Sequence, residues 1–477
     1  MKNIRKGILA ICAAAVMAFS MTACTQKAES AYDIAVKNGF VGTEQEWLQS
    51  LHGANGEDAD DITAKDLYDT AVVNGFKGTF LDFCKEMNLE TSTGHNTSQI
   101  ANNIMSVVGI YCGFTSTQTT NGWPRPSTTT TPSMSMGSGV IVDLDKKNGN
   151  ALIITNYHVI YNQESDQTGG ISKDIYLYLY GAANHFAYSE TDGWSDVGSN
   201  AMRARVIGGA MDYDIAVLKV EGNEYLKNSA ATEAKIGNSD NMRQGEDVFA
   251  IGNPEGEGIS VTHGILSTTS EYISMYALDN RDANRDGEVD SVSFRVMRTE
   301  AAINGGNSGG GLFNGHGELV GIVNAKSTGE DMDNMGYALP TAQVKAVYDN
   351  LMDNNGVVKR ATLGVMVSVQ SSVASFNEKG TLDVTETFVV AEEAAHGSAA
   401  YGKLRYGDVF KTVQIKKAGG TVGEKITLTR QYQLNDLLLT VRKGDTVILG
   451  MERQTVAATE NVTVEVHFNQ NTYFVQF

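Results

Sequence analysis

The sequence predicts a mainly β protein, with a small helical module ahead of it and an αβ unit at its end. Three observations carry this. Fifty glycines stand against five prolines in 477 residues, which suits many tight turns and excludes a collagen or proline-rich rod. From Ile104 onward, short runs rich in Val, Ile and aromatic residues follow one another, parted by turn residues, as in a barrel or sandwich. Upstream, residues 32–51 repeat at 68–87, an offset of 36 with nine of twenty positions identical, and the pattern is helical.

Length and charge bound the rest. The chain is long enough for two or three domains that each bury a core. Lys and Arg total 37 against 56 Asp and Glu, a formal charge of −19, with no basic run. Phosphate contact needs clustered positive charge, so nucleic acid is excluded as a partner. Four cysteines are too few for a disulfide scaffold. The one long apolar run is N-terminal, so the chain is not polytopic.

That N-terminus reads as a secretory signal over 1–23. Lys2, Arg5 and Lys6 precede an apolar stretch from Ile8 to Phe19, and Met21-Thr22-Ala23-Cys24 resembles a bacterial lipobox with Met21 in place of the usual Leu. Cys24 is then the lipidated mature N-terminus, and the expected location is extracytoplasmic, lipid-anchored to the membrane. A diacylated cysteine supplies the two chains that stable anchoring takes. Cleavage removes three cations and no acid, taking −19 to −22, so the acyl chains have to hold the protein against anionic lipid. Cys84 and Cys112 are read as unpaired, one in an apolar helical pattern and one in a strand-like run.

Residues 31–89 hold the two helical hairpins. Each copy reads as a short helix ended by Gly39 or Gly75, then a second capped by Thr43 or Thr79, with Glu46 and Asp82 three residues on. A spacer or docking module is the reading. In the β region, 115–135 is rich in Thr, Ser and Pro and reads as a mobile surface loop. TAQVKAVYDNLMDNN reads as a helix closing the region before Gly356.

Three segments carry chemistry. ITNYHV puts His158 at the end of a buried strand, DIAVL opens another with Asp214, and GNSGG sets Ser308 in a glycine-rich loop. A serine hydroxyl is a poor nucleophile until an imidazole takes its proton and a buried carboxylate holds that imidazole's tautomer. Glycines beside the serine let backbone N–H groups face the developing oxyanion. The chain order His, Asp, Ser is that of the two-barrel proteases, not of subtilisins or α/β-hydrolases. Each segment alone is weak, and their joint occurrence in order is specific. Asp212 is the next candidate acid.

With GSGVIV, AIGNPEGEGISVTHGILS, TEAAINGGNSGGGL, GELVGIV and GYALP, these segments resemble the HtrA/Deg family of trypsin-like serine proteases over roughly 104–468. The resemblance implies a chymotrypsin-like double six-stranded β-barrel over 100–355. It makes His158 the base, Asp214 its orienting acid, Ser308 the nucleophile, and the N–H groups of Gly306 and Ser308 the oxyanion hole. It also implies an endopeptidase acting on unfolded or damaged proteins, a homo-oligomer (a trimer in the family), and no required cofactor. The family has proline where Gly305 and Gly311 stand, so the serine loop gains backbone freedom. No acid precedes Ser308 at the base of the specificity pocket, where Asn304 lies, so small or medium apolar P1 side chains are expected.

Residues 361–470 look like the PDZ αβ domain that follows the protease in this family. Leu363-Gly364-Val365 would offer N–H groups to a peptide's terminal carboxylate, and the next strand would pair with the peptide. Last, Asp282, Asn284, Asp286, Glu288 and Asp290 have the spacing of an EF-hand-type loop without its bidentate acid, Ser293 standing at position 12. This is either a solvated acidic turn or a weak Ca²⁺ loop. A scaffold or chaperone that uses the peptide groove and the helical repeats without proteolysis is the alternative to the enzyme.

Overall fold

The computed structural model describes scattered positions between 32 and 77, then 97–120, 125, 127–182, 186–283, 285–326, 335–376 and 382–477. The signal segment with Cys24, and Gly39, Glu46, Gly75, Thr79, Asp82, Cys84 and Asn284, lie outside the described residues. The chain divides into two compact units, Met1–His95 and Asn96–Phe477. In the first, a helix spans Ala64–Val73, Tyr68 meets Phe76 edge-on at 6.2 Å, and Tyr32 meets Trp47 at 6.0 Å. No helix among the described residues is long and apolar enough to cross a membrane.

The second unit starts with a helix, Thr97–Ile104, and then builds strands in the order the sequence spaces them. These are β1 Val107–Thr120, β2 Ser127–Asp145, β3 Asn150–Thr155, β4 Asp174–Leu179, β5 Ala187–Ser189, β6 Gly193–Asp196, β7 Met202–Ala210 and β8 Ile215–Val220. The order β1-β2-β3-β8-β7-β4 closes a six-stranded barrel, while β5 and β6 form a hairpin of their own. A second set follows, β9 Asp247–Gly252, β10 Ser260–Tyr276, β11 Ser291–Thr299, β12 Gly311–Asn314, β13 Leu319–Lys326 and β14 Gly336–Pro340, closed in the order β10-β11-β14-β13-β12-β9. Closure leaves neither set with a bare edge, which is how an all-antiparallel fold protects its backbone groups. Val107, Val140, Ile215 and Val217 of one barrel share a buried core with Ile251, Phe313 and Ile322 of the other.

The Thr-rich segment corrects the sequence reading. It is the tip of a long antiparallel arm, with Thr117 opposite Thr130 and Thr119 opposite Thr128. Their hydroxyls meet across the strands at 3.0 and 3.2 Å. The segment is too polar to pack in a core, but β-branched threonines favour extended backbone and pair across it, so polarity did not make it a loop.

The helix Thr341–Asp353 ends before Gly356, whose φ is +85° and whose N–H returns to the Leu351 carbonyl at 2.8 Å. A C-terminal sheet and a separate strand pair then follow, from β15 Lys359–Ala361, β16 Val367–Phe376, β17 Leu382–Val390, β18 Val409–Lys416, β19 Ile426–Thr427, β20 Thr446–Gln454, β21 Thr459–His467 and β22 Phe474–Gln476. Strands β16-β17-β18-β20-β21 lie side by side with β19 on β18, and β15 pairs with β22. The helix Gln431–Thr440 covers this sheet through buried Leu434 and Leu438, while Leu439 on its other side joins the core shared by the barrels. It also meets the second barrel. The buried Arg295 of β11 pairs with Asp436 of that helix and with Asp240 at 2.7 Å, and lies 3.5 Å above the Tyr432 ring centre.

Candidate active site

His158 and Asp214 meet because their strands are neighbours. In the antiparallel β3–β8 pair, Thr155 lies opposite Ala216, so the end of β3 and the start of β8 share one rim of the barrel. Just beyond Thr155 the chain makes one helical turn, Tyr157–Ile160, which carries His158. Just before β8 it makes a tight turn, Met211–Tyr213, closed by Asp214. The Asp214 carboxylate, 4% exposed, accepts the His158 backbone N–H at 2.8 Å through Oδ1 and lies 2.6 Å from His158 Nδ1 through Oδ2. The Asp214 carbonyl in turn accepts from Asn156 Nδ2 at 2.9 Å.

Two further residues had no place in the sequence argument. Asn324 on β13 is buried, donates Nδ2 to Asp214 Oδ2 at 2.6 Å, and offers its carbonyl to the Ser308 hydroxyl at 3.0 Å. The hydroxyl of the nucleophile candidate thus rests on Asn324. Ser138 on β2 joins the barrels: its N–H donates to the Ser308 carbonyl at 2.8 Å and its hydroxyl to the Gly306 carbonyl at 2.7 Å. The one sequence signal for Ser138 was its place in GSGVIV, and for Asn324 a lone amide inside the apolar run GIVNA.

The serine loop needs its glycines. At Gly306, φ is +89° and a Cβ would come 2.2 Å from the Asn253 carbonyl oxygen. At Gly309, φ is +84° and a Cβ would come 2.1 Å from the Ser138 carbonyl oxygen. Among the described residues, the N–H groups of Gly306 and Ser308 donate to no other protein group, which leaves them open to an oxyanion. At Gly311 a Cβ would come 2.4 Å from the Phe313 ring, so a larger residue there would need that ring to shift. Nothing packed near Gly305 dictates glycine there, and its carbonyl accepts the Glu255 N–H at 2.7 Å. Asn304 is exposed at the loop's start.

Electrostatics favour a protonatable base. Partial burial pulls the His158 pKa down, but the charge and hydrogen bond of Asp214 outweigh it and hold it above the usual histidine value. A general base must be neutral, so the acidic limb of kcat/KM is expected to lie above about 6.5, the ordinary histidine pKa. The same sign applies to stability: the pair's contribution is present below the unfolded pKa and fades as pH rises through the folded one. A pH–rate profile on a peptide substrate checks this, and a limb at or below 6 would contradict it.

The remaining candidates fare differently. Leu363, Gly364 and Val365 lie in the irregular connection between β15 and β16, with Gly364 at φ +74°, and the Gly364 N–H is engaged by Thr362 Oγ1 at 3.2 Å. Next to it, β16 is the outer strand of its sheet. In the acidic loop the described carboxylates meet backbone N–H groups. Asp282 accepts the Asp286 and Gly287 N–H groups at 3.1 and 2.9 Å, Asp286 that of Glu288 at 2.9 Å, and Asp290 that of Ala283 at 3.0 Å. The carboxylates cap backbone instead of converging, and among the described residues no three His, Cys, Asp or Glu side chains are gathered for a metal. Cys112 is a buried free thiol whose pKa burial pushes up, and it is correspondingly unreactive.

Paired antiparallel barrels with a His–Asp pair on one and a glycine-cradled serine on the other define the trypsin-like serine peptidase class. Such chemistry runs on protein groups and needs no cofactor. Residues 137–322 match the family described as Trypsin-like peptidase domain. The chain is 31% identical over 339 residues to Serine protease Do-like HtrA of Lactococcus lactis subsp. cremoris, covering 69% of this chain and 70% of that one. It is 33% identical over 270 residues to the Bacillus subtilis protein of that name, and 30% identical over 308 residues to Periplasmic serine endoprotease DegP of Escherichia coli. Those two matches cover 55% and 62% of this chain, and 50% and 54% of the relatives' own lengths. This chain belongs to the HtrA family of serine endopeptidases.

Proposed function

We propose that this protein is an extracytoplasmic, lipid-anchored endopeptidase that cleaves unfolded or damaged proteins through His158, Asp214 and Ser308. The observation that carries it is the Asp214 carboxylate holding both the backbone and the Nδ1 of His158, an arrangement that leaves Nε2 for the Ser308 proton. His158 takes that proton as Oγ attacks the scissile carbonyl, the N–H groups of Gly306 and Ser308 receive the oxyanion, and His158–H⁺ protonates the leaving amine. Water then hydrolyses the acyl-enzyme by the same route.

The C-terminal sheet acts as a PDZ domain. Its connection at Leu363–Val365 faces a peptide C-terminus and β16 takes the peptide as an added strand, the N–H of Leu363 or Val365 serving where that of Gly364 is engaged. The working form is a homo-oligomer, by analogy a trimer. Cys24 carries the anchor, so Cys24→Ser is expected to move the protein from membranes to the soluble fraction, and a wild type already soluble would sink the anchor.

The deciding experiment is reaction with a serine-directed phosphonate. A single adduct mapped to Ser308 by mass spectrometry, with casein cleavage, is the expected result. A folded wild type that neither labels nor cleaves would make the chain a binding scaffold.

A further inference from the structure

Asp214 sits at φ 49° and ψ 42°, a left-handed conformation uncommon outside glycine though more open to Asp than to most residues. It closes the hairpin turn between β7 and β8, where Ala210 pairs with Ile215, and the two residues before it are anchored by side-chain contacts. Asp212 pairs with Arg281 at 2.5 Å. Tyr213, 7% exposed, meets Phe477 ring edge to face with centroids 5.3 Å apart, and its hydroxyl accepts from Arg360 Nη1 at 3.0 Å. Arg360 also lies 5.0 Å from the Phe477 ring centre. These partners belong to the C-terminal part of the chain: Arg360 is on β15 opposite Val475 of β22, and the Phe477 N–H donates to the Val358 carbonyl at 2.9 Å.

We infer that Tyr213 is a positioning residue for Asp214, and that Arg360 and Phe477 make the seat of the triad acid depend on the β15–β22 strand pair at the C-terminal end. This rests on the triad reading above. The turn Met211–Tyr213 is closed by one backbone bond, from the Asp214 N–H to the Met211 carbonyl at 3.0 Å. Tyr213 and Asp214 share a peptide plane, so release of the Tyr213 ring lets the Asp214 φ relax toward negative values. That swings the carboxylate off the two His158 donors it must meet together. Arg360 makes no ion pair among the described residues, so its strongest link is the phenol. Burial pushes the Tyr213 pKa up to about 12, so the phenol stays neutral and able to accept across the working range. The group borders a cavity of about 370 Å³ that also touches Asp212, Arg295 and Asp436, which gives the ring room to move once its partners are gone.

The test uses the full chain and the variants Tyr213→Phe, Arg360→Ala and Phe477→Leu. Two readouts are followed: steady-state kinetics on a peptide substrate, and the downfield proton resonance of the His158–Asp214 hydrogen bond by NMR. A kcat lower by roughly tenfold with KM within about twofold is expected, a fraction of what a 1 Å misplacement costs. The NMR proton should shift upfield, and the acidic limb should move to lower pH as His158 loses its carboxylate. Arg360→Ala added to Tyr213→Phe should cost nothing more, and Arg360→Lys, which keeps a donor, should restore most of kcat. Folded variants with wild-type kcat and an unmoved proton would overturn the inference. A wild type that fails to label or cleave, yet whose His158 proton moves in the variants, sinks the protease reading and supports the seat.

Discussion

Ser308→Ala is expected to lower kcat by about 10⁶-fold while leaving the protein folded. The loss is expected to be total for covalent chemistry because the hydroxyls described beside the serine loop are already engaged. Ser138 Oγ is committed to the Gly306 carbonyl and the Asn253 N–H, and Thr155 Oγ1 to the Ser138 carbonyl. Folding is spared because the loop is held by its backbone: the Ser308 carbonyl accepts from Ser138, and the Gly309 and Gly310 N–H groups return to Val323 and Asn307. The hydroxyl itself contributes one hydrogen bond, to Asn324, worth about 1 kcal/mol. Active-site titration with an activated ester, beside a melting curve, measures both halves. A folded alanine variant that keeps more than about 1% of the wild-type rate would place the nucleophile elsewhere.

Asp214→Asn is expected to cost on the order of 10⁴-fold in kcat, again with the fold intact. The carboxylate accepts three N–H groups: the His158 backbone, His158 Nδ1 and Asn324 Nδ2. An amide offers one oxygen and turns an NH₂ toward a donor, so the imidazole is driven to the tautomer that cannot take the serine proton. His158 would also lose the charge that raises its pKa. The sequence had kept Asp212 in reserve, but Asp212 is held by Arg281 at 2.5 Å and faces away from this role. Near wild-type turnover in Asp214→Asn would therefore leave the mechanism without an acid.

Much of this site was legible before any coordinates. Strand periodicity and glycine punctuation announced a barrel or sandwich, and residue chemistry in the order His, Asp, Ser named the reacting groups, because these signals are local to a few residues each. Polarity alone misled at the Thr-rich arm, where cross-strand pairing, invisible in composition, turned a loop into two strands. Acid spacing likewise could not say that Asp282, Asp286 and Asp290 accept backbone N–H groups of their own loop. Asn324 reaches Asp214 across 110 residues, and Ser138 reaches Gly306 across 168. Tyr213 reaches Arg360 across 147, from the first barrel to the β15–β22 strand pair. No local pattern encodes such pairs. The sequence by itself determined which groups could react; barrel closure and the β3–β8 register decided which of them touch, because a hydrogen bond requires about 3 Å of proximity that only the packed chain supplies.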